Sequence, residues 1–128
     1  MKIDDLIGKR YKDGGRGPDE FDCFGLFEEL CRRRGMPIKS EATPAAVEDK
    51  NQLFAETTLR EWKKLDGPEP GCGVAFRVTP PYVTHVGMVL DCGKRFIHVR
   101  QGANVAIERL DSVLWRHRIA GYYAHVRD

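Results

Sequence analysis

No stretch of this chain is long and apolar enough to span a bilayer, and its first residues, MKIDDLIGKRY, lack the apolar core of a secretory signal. These absences predict a chain made in the cytoplasm that would need another route out of the cell. The four cysteines (Cys23, Cys31, Cys72, Cys92) contain no CxxC pair, and the four histidines (His85, His98, His117, His125) add no metal-ligand spacing. Reduced thiols and no metal are therefore expected. With 21 basic against 19 acidic residues, the net charge of +2 is too small to imply a nucleic-acid partner. The one basic run, Arg32 to Arg34, reads as the solvated end of a helix, where cations suit the macrodipole. Repeats, low-complexity segments and linkers are also missing, so the 128 residues read as one domain, residues 1–128.

What is present falls into two halves. KIDDLIG can form a short helix, and KDGGRGPDE is a loop by its glycines and proline. From Asp22 to Arg34, the apolar residues Cys23, Leu26, Phe27, Leu30 and Cys31 follow helical spacing, with Asp22 as N-cap and Gly35 as stop. A looser helical region, PAAVEDKNQLFAETTLREWKKL, runs to DGPEPG; it either shapes a groove or covers a sheet. Beyond residue 71, GVAFRV, THVGMVL, RFIHVR, NVAIERL and RIAGYYAHV read as strands, with LDSVLW as a helical turn before the last. Helices followed by an antiparallel meander predict an α+β domain, its N-terminal helices packed on a central antiparallel sheet.

If DCGK turns a hairpin, Asp91 faces Lys94, Arg100 faces His85, and Gly87 faces His98. Residues two apart share a face, so His85 and His98 project from the same side as diagonal neighbours, with Gly87 leaving room for the second ring. A slip of one residue would separate them. Bringing the helix to that face would set Cys23, in the first helical turn, beside the imidazoles. There the helix dipole and unpaired N–H groups favour thiolate. Taken singly, Cys23 reads as core and each histidine as structural. Taken together, they supply a nucleophile, a base and an orienter as plausibly as they supply a core.

The blocks YKDGGRGPDEFDCFGL, EPGCGVAF, THVGMVL and RFIH, in that order, resemble the NlpC/p60 family of papain-like cell-wall cysteine peptidases. The likeness runs from about Tyr11 to His98 and continues through VAIERL. It implies Cys23 as nucleophile, His85 as general base and His98 as the third, polar residue. It further implies Tyr11 near the oxyanion or substrate carbonyl, and Asp22 fixing the turn beside it. Two departures stand out: Phe24 replaces the family's usual serine, and Cys72 in PGCG replaces a common aspartate and is expected to be buried and inert.

The resemblance implies hydrolysis of peptidoglycan stem peptides between D-glutamate (through its γ-carboxyl) and a diamino acid, through a Cys thioester and with no cofactor. Phe24 resembles the phage-tail branch, which implies phage or prophage origin, tail proteins as partners, and access to the wall with the tail or at lysis. No SH3-like or LysM segment accompanies the domain. Two other readings stay open: a structural tail component with this fold, and a Cys-His acyltransferase or deamidase effector.

Overall fold

A computed structural model describes residues 1–38 and 42–126. Helix α1 (Cys23–Arg33) forms where the apolar spacing predicts it. Asp22 caps it from an extended backbone, its Oδ1 accepting from Gly25 N at 2.6 Å. After Arg34 the chain leaves through Gly35, whose φ of 77° lies in the left-handed region. At this end the arginines are more than solvated. Arg33 makes two bonds to Asp5, at 2.7 and 2.8 Å, and a third to Glu29 at 2.8 Å, while Arg32 also pairs with Glu29. Arg33 thereby fastens the N-terminal segment to α1.

That segment is not a helix. Residues 3–9 form successive turns, with Leu6 N bonded to Ile3 O and Lys9 N to Leu6 O, and Leu6 buried in the core. Gly8, at φ 88°, leaves the right-handed path before a helix can propagate. Two short strands, β1 (Arg10–Tyr11) and β2 (Glu20–Phe21), then pair in parallel and bracket the glycine loop.

Helix α2 (Val47–Glu61) has Glu48 and Asp49 in its first turn but no side-chain cap, and none of its described side chains is buried. It ends four residues earlier than the sequence pattern suggests. WKKL forms strand β3 (Trp62–Leu65), because pairing with the last strand satisfies its backbone and Trp62 packs edge-to-face on His125 and tilted against Phe27. Tertiary pairing here overrides a helical pattern.

The sheet adds β4 (Gly73–Phe76), β5 (His85–Val89), β6 (Arg95–His98), β7 (Ala106–Arg109) and β8 (Ile119–His125). Its order is β3-β8-β4-β5-β6-β7, with every neighbouring pair antiparallel. Strands β4 to β7 are the expected meander. β8 crosses back and inserts between β3 and β4, which a simple meander does not predict. LDSVLW leads into turns before β8, with Arg116 N bonded to Ser112 O, in keeping with the helical turn expected there.

The sheet buries both faces. Leu26, Phe27, Leu30 and Cys31 of α1 pack on Val86, Met88, Ile97 and Val99. On the other face, Val74, Phe76, Val89 and Phe96 enclose Trp115. Strand alternation assigns odd residues of β5 and even residues of β6 to the Trp115 face.

The loop and α1 meet without spare volume: a Cβ on Gly25 would lie 2.0 Å from Gly15 O. Gly25→Ala should therefore lower stability by about 1–3 kcal/mol, read as a lower urea midpoint. Gly67→Ala, where a Cβ meets nothing within 4 Å, should leave the midpoint unchanged; equal effects of the two would contradict the packing described.

Candidate active site

The β5–β6 hairpin has the register that DCGK predicts, with Met88 opposite Ile97 and Val89 opposite Phe96. His85 and His98 consequently share a face, and His85 Nε2 lies 2.7 Å from His98 Nδ1. A Cβ on Gly87 would come within 3.2 Å of the His98 Cβ, so glycine there does make room for the ring. Both imidazoles are buried among aromatic rings. Trp115 stacks on His85 at 5.7 Å between centroids and meets His98 edge-on at 4.8 Å, while Phe76 and Phe96 close the sides.

The helix does not stand on that face. α1 packs on the opposite side of the sheet, and its first residue reaches the site at the rim of β5. Cys23 is half-buried, with Sγ 3.8 Å from Thr84 O and with the Val86 N–H near enough to favour its anion. The sulfur is thus held by main chain on either side of His85. Among the described residues it makes no hydrogen bond to either imidazole. The expectation that helix and histidines share one face is corrected: the twisted end of β5, not the sheet surface, is where they approach.

Burial also decides the protonation states. It pushes the Cys23 thiol up to about 12, and the neighbouring Asp22 carboxylate adds to the rise. The N–H groups of Val86 and Phe24 oppose this without reversing it. Helix position alone predicts thiolate; desolvation outweighs it. His85 is held well below its ordinary value by burial, helped by His98 and Arg100, and burial lowers His98 as well. The resting pair is a thiol and a neutral imidazole.

Asp22 is buried with both oxygens engaged. Oδ1 accepts from Gly25 N and from Arg16 Nη1 at 2.7 Å, and Oδ2 accepts from Thr43 Oγ1. It anchors the turn and presents no open face to a substrate, so a substrate-binding role does not fit its position. The Tyr11 hydroxyl donates to Asp13 Oδ1 at 2.9 Å. Burial and Asp13 raise its pKa, and Cys23 is close enough to add to the effect. Cys72 is buried, with its thiol raised by burial, as expected of an inert position.

Sequence reasoning missed Glu108, whose Oε2 bonds His98 Nε2. It faces Phe96 across β6–β7 and so stands diagonal to His98; extending the hairpin argument by one strand would have found it. It also missed Trp115, which only the crossing from β7 to β8 brings beneath the imidazoles. TPPYVT is a connecting loop, held by Val83 N donating to Asn51 Oδ1 at 2.8 Å. Phe24, the residue after Cys23, lines an apolar cavity of about 360 Å³ between α2 and the sheet, together with Phe27, Leu53, Phe54, Trp62 and Tyr123. The described residues include no group of three or more His, Cys, Asp or Glu placed to hold a metal ion, and no helix long and apolar enough to cross a membrane.

The protonation states are testable by alkylation. In a Cys92→Ala background, which removes the exposed thiol whose pKa is lowered, iodoacetamide labelling of Cys23 should accelerate by about tenfold per pH unit above neutrality. Peptide mass spectrometry reads the site. A rate that is flat from mildly acidic pH upward would show a preformed ion pair instead.

The same fold occurs in known proteins. A protein of the NLP/P60 family from Staphylococcus aureus, described as similar to lipoprotein, superposes with a TM-score of 0.66 at 24% identity, over 96% of this chain and 38% of its own. NlpC1 from Trichomonas vaginalis gives 0.66 at 23% identity, over 93% and 41%. An NlpC/P60 family protein from Bacillus cereus gives 0.61 at 19%, over 99% and 41%. The chain thus spans about two fifths of the length of these structures. No curated protein matches the sequence. The model of the NlpC/P60 family matches residues 8–124, from the turn before β1 nearly to the end of β8. With the glycine loop, the helix-initial Cys23 and the His85–His98 pair all inside that match, the chain belongs to the NlpC/P60 family.

Proposed function

We propose that this domain is a cysteine endopeptidase of peptidoglycan, cutting stem peptides between D-glutamate, through its γ-carboxyl, and a diamino acid. The observation that carries the reading is the hydrogen-bonded His85–His98 pair at the strand end whose backbone holds the Cys23 sulfur. Membership of a family of cell-wall peptidases supports it.

In this reading Cys23 Sγ attacks the scissile carbonyl while His85 takes the thiol proton, so the sulfur becomes nucleophilic only as the bond forms. The resulting imidazolium is stabilised through His98 and returns its proton to the leaving amine. Water then hydrolyses the thioester. The Cys23 N–H at the start of α1 is suited to the tetrahedral oxyanion. Tyr11 would join it by exchanging its bond to Asp13 for one to the substrate oxygen. Asp22 acts from behind, fixing the turn.

Incubation of the purified chain with muropeptides, followed by mass analysis of the fragments, tests this. Cys23→Ala and His85→Ala should each reduce cleavage by at least ~10³-fold, and Tyr11→Phe by about tenfold. Equal product from wild type and the first two variants would end the proposal. We further place its action in the wall, reached with a phage tail or at lysis. Phe24 is the residue that supports tail association, and detection of the chain in purified tail particles is the check.

A second reading, acyl transfer, is favoured by the apolar cavity beside Phe24, which could take the apolar part of an acyl group carried on Cys23. Transfer of the acyl group to an added amine, with little free acid, would identify it.

A further inference from the structure

Glu108 ends a chain of hydrogen bonds that begins at His85. His85 Nε2 meets His98 Nδ1 at 2.7 Å, and His98 Nε2 meets Glu108 Oε2. The Glu108 side chain is one third exposed, whereas His85 and His98 are 4% and 2% exposed. The relay therefore runs from a buried ring at the sulfur's end of β5 to a carboxylate at the edge of solvent.

Each link of this relay has a direction. Both rings are neutral at rest, because burial lowers them, and a neutral imidazole carries one N–H. A carboxylate can only accept, so His98 Nε2 must hold the hydrogen. His98 Nδ1 is then an acceptor, and His85 Nε2 must donate to it. The remaining nitrogen, His85 Nδ1, is left with a free lone pair.

We propose that Glu108 is a positioning residue that fixes the tautomers of both histidines, making His85 Nδ1 the proton-accepting atom of the site. Its weight in catalysis rests on the peptidase reading; the tautomer assignment does not. Without an acceptor at position 108, His98 is free to carry its hydrogen on Nδ1. His85 Nε2 would then have to accept, and the His85 hydrogen would move to Nδ1, presenting a donor where a base is needed.

The charge of Glu108 has a second effect. It raises His98 against the lowering due to burial, so it favours positive charge in the relay once a proton has arrived. Arg100 works the other way on both rings. The rings packed on the pair, Phe76, Phe96 and Trp115, carry no charge.

Nitrogen-15 NMR of the imidazoles near neutral pH, on the full chain, tests the assignment. Wild type should show both histidines as Nε2–H tautomers. Glu108→Gln, whose amide oxygen can still accept, should keep them. Glu108→Ala and Glu108→Val should give mixed or reversed tautomers, valine being included because it suits a strand if alanine weakens β7. With muropeptides, the last two should lose about tenfold in kcat with little change in KM. Wild-type tautomers retained in Glu108→Val would overturn the assignment, even if hydrolysis is intact. Altered tautomers in that variant, in a protein whose wild type cuts no muropeptide, would uphold it and sink the peptidase reading alone.

Discussion

The structure hangs on a carboxylate that no solvent reaches. Asp22 holds the first turn of α1 through the Gly25 amide, and the incoming glycine loop through Arg16. It also reaches across to Thr43 on the segment that leads into α2. Unpartnered burial of such a group would be strongly unfavourable, so its three bonds must form together or not at all. The close approach of the Gly15 carbonyl to Gly25 belongs to the same knot: the loop can lie this near the helix only because Gly25 carries no side chain. Cys23 is the next residue along, and its place at the rim of β5 follows from that fixing.

The aromatic enclosure around the imidazoles acts on both sides of the chemistry. It lowers both imidazoles and so leaves them able to receive a proton, while desolvation of the half-buried sulfur raises the Cys23 thiol. A site of this kind stores no separated charge while it waits. In the proposed mechanism charge would appear only as the thiol proton crosses to the ring, and it would then have the polarisable indole of Trp115 and the Glu108 carboxylate within reach. The indole Nε1 has no hydrogen-bond partner among the described residues, so the ring is held by packing and by Arg100 and Arg118 over its face, while its backbone bonds Ser112 and Arg118.

Much of this was legible in the sequence, wherever a local rule decides the outcome. Helical spacing and a capping aspartate placed α1, and a four-residue turn fixed the register that joins His85 to His98. The rules failed where distant segments decide. WKKL looks helical until β8 arrives to pair with it; KIDDLIG is the exception, broken locally by its own Gly8 before it can coil. The side of the sheet that α1 occupies was misjudged for a related reason: strand periodicity says which residues share a face, but not which face a helix will choose. The protonation state of Cys23 escaped because helix position is written in the sequence and desolvation is not. Glu108 lies one hairpin beyond the DCGK turn, so its place depends on a second register, that of β6 and β7.

That α1 and the imidazoles occupy opposite faces has a consequence for how such a domain can decay. The layer beneath the helix governs where the sulfur sits, and the layer around Trp115 governs the rings, with the backbone of the sheet, β5 and β6 above all, common to both. Damage to one layer need not spread to the other. A descendant could lose its nucleophile's alignment yet preserve a faithful pair of histidines, or the reverse, and a surviving half-site would then be a relic of ancestry rather than a sign of present chemistry.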